Sequence, residues 1–169
     1  GNGDDVFSFE SEEATTVRNV TVATGLGSDA VAITEAATSQ LDLTGSLKVS
    51  TDSGNDRVDV FATDAINVAG DVIISTGTGN DAVGLIDTGK FGAVAGADLA
   101  ATVANLQAIV DDSNAFGNQS ISVGGSVSIN TGTGNDGVAV LGADVGTDLL
   151  INTAGGTKDA AAVSNVVVG

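Results

Sequence analysis

Residues 77–81 read GTGND, and the same five letters return at residues 132–136. Four related loops also end in an aspartate: GNGDD at 1–5, GLGSD at 25–29, DSGND at 52–56 and GGTKD at 155–159. The closing aspartates lie 24, 27, 25, 55 and 23 residues apart, which is a period of about 25 with one long interval. Internal repeats of that length are typical of a solenoid, in which equivalent residues of successive coils stack in columns. We therefore expect the aspartates to form a ladder on one edge.

The residues around each loop also repeat, with the period of two that marks a strand with one buried face. Apolar side chains occupy the second and fourth positions after the closing aspartates, as at Val83 and Leu85. Two more apolar columns precede each loop, and a threonine leads it; a third strand is indicated by pairs such as Ile66 and Val68. Three short strands per coil predict an all-β fold, a right-handed parallel β-helix of about six coils with about 25 residues per coil. An antiparallel sandwich would leave the common register unexplained.

The long interval between Asp81 and Asp136 holds one coil plus a predicted helical insertion at residues 92–120. Asp98 can cap a helix, which we expect to run from about Leu99 to Val110. Its apolar stripe consists of Leu99, Val103, Leu106 and Val110. Two interpretations stay open for this stripe: it folds back on the flank of the β-helix, or it contacts a neighbouring subunit.

The composition limits the partners that this chain can have. Its length predicts a single β-helix domain over residues 1–169. A net charge of −17 repels nucleic acid and anionic membranes, and no apolar run is long enough to predict membrane insertion. Histidine and cysteine are both absent, so zinc, copper and iron sites are not expected.

A column of carboxylates requires compensation for its charge. Two carboxylates about 5 Å apart repel by roughly 3 kcal/mol at an effective dielectric of about 20. The column therefore needs raised pKa values or a cation between its members. Calcium suits such a site, because it accepts carboxylate and backbone carbonyl oxygens together. Asparagine and threonine hydrogen-bond ladders without metal are the alternative.

The loop G-x-G-x-D followed by alternating apolar positions resembles the calcium-binding RTX repeat and, more broadly, the β-helical repeats of large secreted bacterial surface and adhesin proteins. The resemblance implies that Ca²⁺ lies between successive loops, bound by loop carbonyls and the closing aspartate, and that folding depends on calcium. The spacing of about 25 residues is longer than in typical RTX arrays, and the last loop departs further because Lys158 precedes Asp159. Carried over by position, the metal ligands are Asp5, Asp29, Asp56, Asp81 and Asp136.

These observations predict an extracellular structural repeat module, stabilised by calcium, that builds a fibre, surface layer or adhesin stalk at the bacterial cell surface. Its expected partners are copies of itself stacked head to tail, or adjoining repeats of a longer chain. A solenoid whose open strands are not capped favours such end-to-end stacking.

Two other functions stay open. Thr78 with Asn80, and Thr133 with Asn135, resemble the outward rows of a calcium-dependent ice-binding adhesin region, although the other loops carry different pairs. A polysaccharide-active β-helix enzyme is the third possibility. The chain lacks tryptophan, tyrosine and histidine, and nothing distinguishes a catalytic carboxylate pair from a solvated face. We therefore predict that the chain is not an enzyme and name no catalytic residue.

Overall fold

A computed structural model describes residues 1–87 and 120–169. In these two ranges the chain forms seventeen β-strands and no helix. The helix predicted over residues 99–110, and nearly all of the insertion predicted at 92–120, lie outside the described residues. The strands are β1 (Val6–Ser11), β2 (Thr15–Val17), β3 (Val20–Ala23), β4 (Ala30–Glu35), β5 (Gln40–Leu43), β6 (Leu47–Ser50), β7 (Arg57–Ala62), β8 (Ala65–Val68), β9 (Val72–Ser75), β10 (Ala82–Asp87), β11 (Ile121–Val123), β12 (Val127–Asn130), β13 (Gly137–Leu141), β14 (Ala143–Val145), β15 (Leu149–Asn152), β16 (Ala160–Ser164) and β17 (Val167–Val168).

The strands form three parallel sheets that wind together as a solenoid. Sheet 1 has the order β1-β4-β7-β10-β13-β16, sheet 2 has the order β17-β14-β11-β8-β5-β2, and sheet 3 has the order β15-β12-β9-β6-β3. Each strand pairs with its equivalent one coil away, as in the register Val58↔Val83 and Val83↔Val138. The predicted all-β parallel solenoid with coils of about 25 residues is confirmed. Among the described residues, no helix has the length and apolar character needed to cross a membrane.

The inward columns of the three sheets form one hydrophobic core. It contains Ile33, Val60, Leu85 and Val140 from sheet 1, each no more than 1% exposed, together with matching columns from the other two sheets. In strands such as β7, inward β-branched side chains alternate with outward residues, so that one face is buried, whereas β10 and β13 are buried on both faces. The core is continuous from coil to coil.

The long interval does not disturb the stack. β10 pairs with β13 in the same register that joins the other coils, and β11 pairs with β8 through Ile121↔Ile66. β10 and β11 therefore belong to one coil, and residues 88–119 separate them in the sequence.

Candidate functional site

The G-x-G-x-D loops form the corner that precedes sheet 1, and they stack closely on one another. Their second positions form a row of isolated parallel bridges, which includes Ser53↔Thr78 and Thr78↔Thr133. The glycine at the third position has φ near +140°, for example +142° at Gly79, a conformation that side chains with a Cβ rarely adopt. A Cβ at Gly79 would lie 1.5 Å from the carbonyl oxygen of Gly54 in the preceding coil. Glycine is therefore required at this position by both conformation and contact.

The closing aspartates form a single column, but the column faces the interior. Its four central members are at most 2% exposed. The backbone amide of each aspartate donates to Oδ1 of the aspartate one coil further along the chain. The donor–acceptor pairs are Asp5 to Asp29 (2.8 Å), Asp29 to Asp56 (2.9 Å), Asp56 to Asp81 (2.9 Å), Asp81 to Asp136 (3.0 Å) and Asp136 to Asp159 (3.1 Å). All five predicted ligands and Asp159 thus belong to one hydrogen-bond ladder, which we call the aspartate column.

A threonine in the same coil engages the other oxygen of three central carboxylates. Thr51, Thr76 and Thr131 donate their hydroxyl hydrogens to Oδ2 of Asp56, Asp81 and Asp136 at 2.7, 2.6 and 2.8 Å respectively. These hydroxyls are fully buried. The sequence left a metal-free asparagine and threonine ladder open as the alternative to calcium, but the pairing of each threonine with the aspartate of its own coil was not predicted. The signal for this pairing was the spacing of five residues between the threonine and the aspartate in the four central loops. In the equivalent pair, Thr24 Oγ1 and Asp29 Oδ2 are buried and have no hydrogen-bond partner.

A second ladder runs along the outer side of the same corner. Asn55 Oδ1 accepts the backbone amide of Asn80 at 2.8 Å, and Asn80 Oδ1 accepts that of Asn135 at 2.9 Å. Asp4 and Ser28 occupy the equivalent positions at the start of the chain and accept in the same way. In this outer column the side chain accepts from the following coil, whereas in the aspartate column it accepts from the preceding coil. Together the two columns supply side-chain acceptors for the backbone amides of the fourth and fifth loop residues.

The threonine and asparagine rows considered for ice recognition lie within these loops. Thr78 and Thr133 are neighbours in adjacent coils. Asn80 and Asn135 use their side-chain oxygens as acceptors for backbone amides. The row of second positions continues through Leu26, which is 51% exposed, so the threonine pair is not part of a uniform polar surface.

Burial governs the electrostatics of the aspartate column. Removal from water raises the pKa of both Asp56 and Asp81 above the usual value for aspartate, because the charged form is disfavoured in the interior. The neighbouring carboxylates raise these pKa values further, while the hydrogen bonds from the threonine hydroxyl and the preceding amide lower them. Hydrogen bonds from the protein therefore stabilise the charged carboxylates only in part, and the pKa values of Asp56 and Asp81 stay raised by burial.

The fit of the column to calcium can be tested on these contacts. Calcium takes about six to eight oxygen ligands. At Asp56, Asp81 and Asp136 both carboxylate oxygens already accept hydrogen bonds from the protein. Within residues 1–87 and 120–169, no three acidic side chains converge to form a possible metal site. These three aspartates fit a hydrogen-bond ladder better than a calcium cradle, whereas Asp29 keeps one oxygen available; calcium binding stays a prediction.

Comparison with known proteins yields no matching family model, no matching curated protein and no matching solved structure. The function is therefore inferred from the geometry of the columns and of the two ends of the solenoid.

The raised pKa values predict that acidification stabilises the fold. A group whose pKa is higher in the folded state contributes stability that is fully present below its unfolded pKa of 3.8 and is lost as pH rises through the folded value. Asp56, Asp81 and Asp59 all act in this direction. Asp42, whose pKa is lowered by hydrogen bonds from Asn67 and Gln40, acts oppositely, but its contribution is lost only below pH 3.8. We therefore expect the urea midpoint to fall as pH rises from just above 3.8 towards neutrality.

The matched control for this pH dependence is the double variant Asp56→Asn, Asp81→Asn. It removes two of the titrating groups and retains acceptors at both positions, so its midpoint should depend less on pH than that of the wild type. An unchanged pH dependence in the double variant would show that the buried aspartates are not its source.

Proposed function

We propose that this chain is a structural repeat module of an extracellular fibre, surface layer or adhesin stalk, in which copies of the chain stack end to end. The proposal rests on the apolar core columns, which continue to both ends of the described solenoid and are not covered there by another described coil. Val163 and Val168 belong to inward columns of sheets 1 and 2, yet each is 48% exposed because no described coil covers them. Phe7 and Phe9 are partly buried against the core at the opposite end. Stacking would bury both ends.

The aspartate column gives this stacking a direction. Each aspartate amide points to a carboxylate of the following coil, and Asp159 has no following coil within the described residues. At the other end, the exposed carboxylate of Asp5 occupies the accepting position of the same column. Head-to-tail stacking would set Asp5 of one copy beside the amide of Asp159 of another. The same repeat chemistry would then join copies as it joins coils.

The strand order supports the same direction. β16, β17 and β15 lie at one end of sheets 1, 2 and 3, and β1, β2 and β3 lie at the other end. Stacking would pair each terminal strand in parallel with its equivalent, which satisfies the unpaired backbone groups of all three edges. Adjoining repeats of a longer chain would satisfy them in the same way. Copies of this chain or such repeats are the proposed partners.

The extracellular location is supported by composition. Twenty-two acidic residues stand against five basic ones, a balance that suits saline surroundings outside cells. The same charge disfavours nucleic acid and anionic lipid as partners. The described side chains of the corner serve as hydrogen-bond acceptors for neighbouring coils, which is a structural role.

We expect the purified chain to form end-to-end polymers at high protein concentration, seen as fast-sedimenting species and as thin rods by electron microscopy. Lysines introduced by Val163→Lys with Val168→Lys should abolish the polymers, because they place charges on the surface that stacking would desolvate. Leu150→Lys is the matched control, since Leu150 is 60% exposed on β15 at an outward position of sheet 3. This variant should polymerise like the wild type. A folded wild-type chain that stays monomeric would overturn the stacking proposal.

Calcium stabilisation is a separate proposal with its own support. The charge of −17 favours any cation that the fold can hold. Asp29 Oδ2 and Thr24 Oγ1 are buried without hydrogen-bond partners, which makes the second loop the place where an ion would displace the fewest existing contacts. Replacing an aspartate of the column by asparagine distinguishes stabilisation by hydrogen bonds from stabilisation by a bound cation, because asparagine keeps an acceptor oxygen and loses the charge.

A further inference from the structure

A groove runs along the outer face of sheet 2. It encloses about 340 Å³, which is at the lower end of the range for small-molecule sites, about 300–1,000 Å³. Strands β2, β5, β8 and β11 all contribute to its lining. Because adjacent strands lie about 4.8 Å apart, the groove spans about 14 Å along the solenoid. We call it the sheet 2 groove.

One row of residues in the sheet 2 groove is polar. Its members are neighbours in successive coils, and they are Thr16, Asp42, Asn67 and Ser122. Asn67 Nδ2 donates to Asp42 Oδ1 at 2.8 Å, and Gln40 Nε2 donates to the same oxygen at 2.7 Å. These two hydrogen bonds, that from Asn67 most, lower the pKa of Asp42, so its carboxylate is ionised at neutral pH. The centre of this polar row is therefore charged and fixed in orientation.

The polar row does not serve to join the coils. In the loop columns, side-chain oxygens accept backbone amides from a neighbouring coil, and the same holds for the column from Asn19 to Asp71 before sheet 3. Within the described ranges, no backbone amide donates to a side chain of the polar row. Asp42 Oδ2 and Asn67 Oδ1 accept no hydrogen bond from the described residues either. These oxygens can therefore accept hydrogen bonds from a ligand.

The second row of residues in the groove is small and exposed. It consists of Thr44, Ala69 and Gly124, whose side chains become shorter from coil to coil. Their backbone amides donate to carbonyl oxygens of the preceding coil at 2.9, 2.8 and 2.7 Å respectively. This row, which we call the flat row, thus offers carbon surface and no free backbone donor. A ligand in the groove meets carbon on one side and polar oxygens on the other.

We propose that the sheet 2 groove binds a linear, uncharged polysaccharide, which is a function beyond the structural one. A sugar ring has C–H groups that can lie on the flat row, and hydroxyl groups that can donate to Asp42 Oδ2 and Asn67 Oδ1. The net charge of −17 repels uronates and other anionic sugars. Since the chain has no tryptophan or tyrosine to stack on a sugar ring, a short oligosaccharide should bind with millimolar affinity.

A basic peptide is the competing occupant, because Asp42 is ionised. Extended peptides bind a sheet mainly through backbone hydrogen bonds at an open edge. The sheet 2 groove lies on a face of the sheet, where the backbone amides of the flat row are already paired. Asp42 is also the one charged residue among those that line the groove. A hydroxyl-rich ligand therefore fits the groove better than a cationic peptide does.

Titration of the isotope-labelled chain, followed by nuclear magnetic resonance, tests this proposal. The probes are cellotetraose, maltotetraose and N-acetylchitotetraose, which are three linear uncharged oligosaccharides. We expect at least one to bind and to shift the side-chain amide signal of Asn67. Asp42→Ala and Asn67→Ala should each weaken this binding by about tenfold, because each removes an acceptor for a sugar hydroxyl. Asn130→Ala is the matched control, since Asn130 is exposed on β12 in sheet 3, and this variant should bind like the wild type.

Ala69→Leu tests the shape of the groove without removing a hydrogen-bonding group. The larger side chain should abolish binding and leave the urea midpoint near that of the wild type, because residue 69 is exposed. Ala23→Leu, at an exposed position of β3, is the matched control. Tetralysine is titrated in parallel, and its binding in preference to all three sugars would assign the groove to a basic peptide. Failure of all three sugars to bind at millimolar concentration, or equal binding by wild type and groove variants, would overturn the proposal.

Discussion

Gly79→Ala is expected to abolish cooperative folding of the coils around it and to lower the free energy of unfolding by more than about 4 kcal/mol. Gly79 has φ of +142°, and the added Cβ would lie 1.5 Å from the carbonyl oxygen of Gly54. The position of this Cβ is fixed by the backbone of residue 79, and the oxygen belongs to the backbone of Gly54, so no side-chain rotation can relieve the contact. The parallel ladders on each side of the loop hold successive coils about 4.8 Å apart, so the two loops cannot separate without breaking sheet hydrogen bonds.

Gly3→Ala provides the matched control. Gly3 is the third residue of the first loop and has φ of +150°, but a Cβ there would meet nothing within 4 Å. It therefore carries the conformational cost of a positive φ without the contact, and we expect a loss of about 1–2 kcal/mol. Urea unfolding followed by circular dichroism compares the two variants. Equal losses would mean that the close approach of the loops contributes nothing.

The fold was predictable because every level of the sequence agrees on it. The loop repeat defines the coil, the alternation around it defines the strands, and the register of columns such as Val58 and Val83 defines the parallel pairing. The insertion was recognisable for the same reason, since 55 residues separate two loops that the stack places in neighbouring coils. The sequence does not decide what covers the apolar stripe predicted for the insertion, because this stripe is compatible with more than one partner.

The inward orientation of the aspartate column was also encoded in the sequence. Val83 and Leu85 point into the core, and Asp81 lies two residues before Val83, so strand alternation sets it on the inner side. Thr76 follows the buried Ile74 by two residues and has the same orientation. The expectation of an edge ladder followed instead from the usual exposure of aspartate, which here is overridden by hydrogen bonds from within the fold.

The direction of each hydrogen bond could not be read from the sequence. Asparagine and aspartate adjoin in each loop, as at Asn80 and Asp81, yet Asn80 accepts from the following coil and Asp81 accepts from the preceding one. The two glycines that precede them, Gly77 and Gly79, have φ of +92° and +142°. Dihedral angles of glycine are poorly constrained by sequence, since glycine tolerates both signs of φ.

Asp81→Ala is expected to lower the free energy of unfolding by about 3 kcal/mol, because two buried donors lose their short hydrogen bonds and the Thr76 hydroxyl then has only the carbonyl oxygen of Thr131, 3.5 Å away. These donors are the backbone amide of Asp56 at 2.9 Å and the hydroxyl of Thr76 at 2.6 Å. Relief of the buried carboxylate, whose pKa is raised by burial, offsets part of the loss. The amide of Asp81 still donates to Asp136, so the effect should come from the side chain alone.

Asp81→Asn separates the ladder from an ion. The amide oxygen can accept from Asp56, and the Thr76 hydroxyl can rotate to accept from the amide nitrogen, so we expect a change within about 1 kcal/mol of the wild type. If calcium joins the coils, the loss of charge should make Asp81→Asn as unstable as Asp81→Ala, and a chelator should reduce the difference between wild type and both variants. Urea unfolding of the three proteins with calcium and with chelator distinguishes the outcomes. If Asp81→Asn in chelator is about as stable as the wild type, the aspartates join the coils as hydrogen-bond acceptors and not through a bound cation.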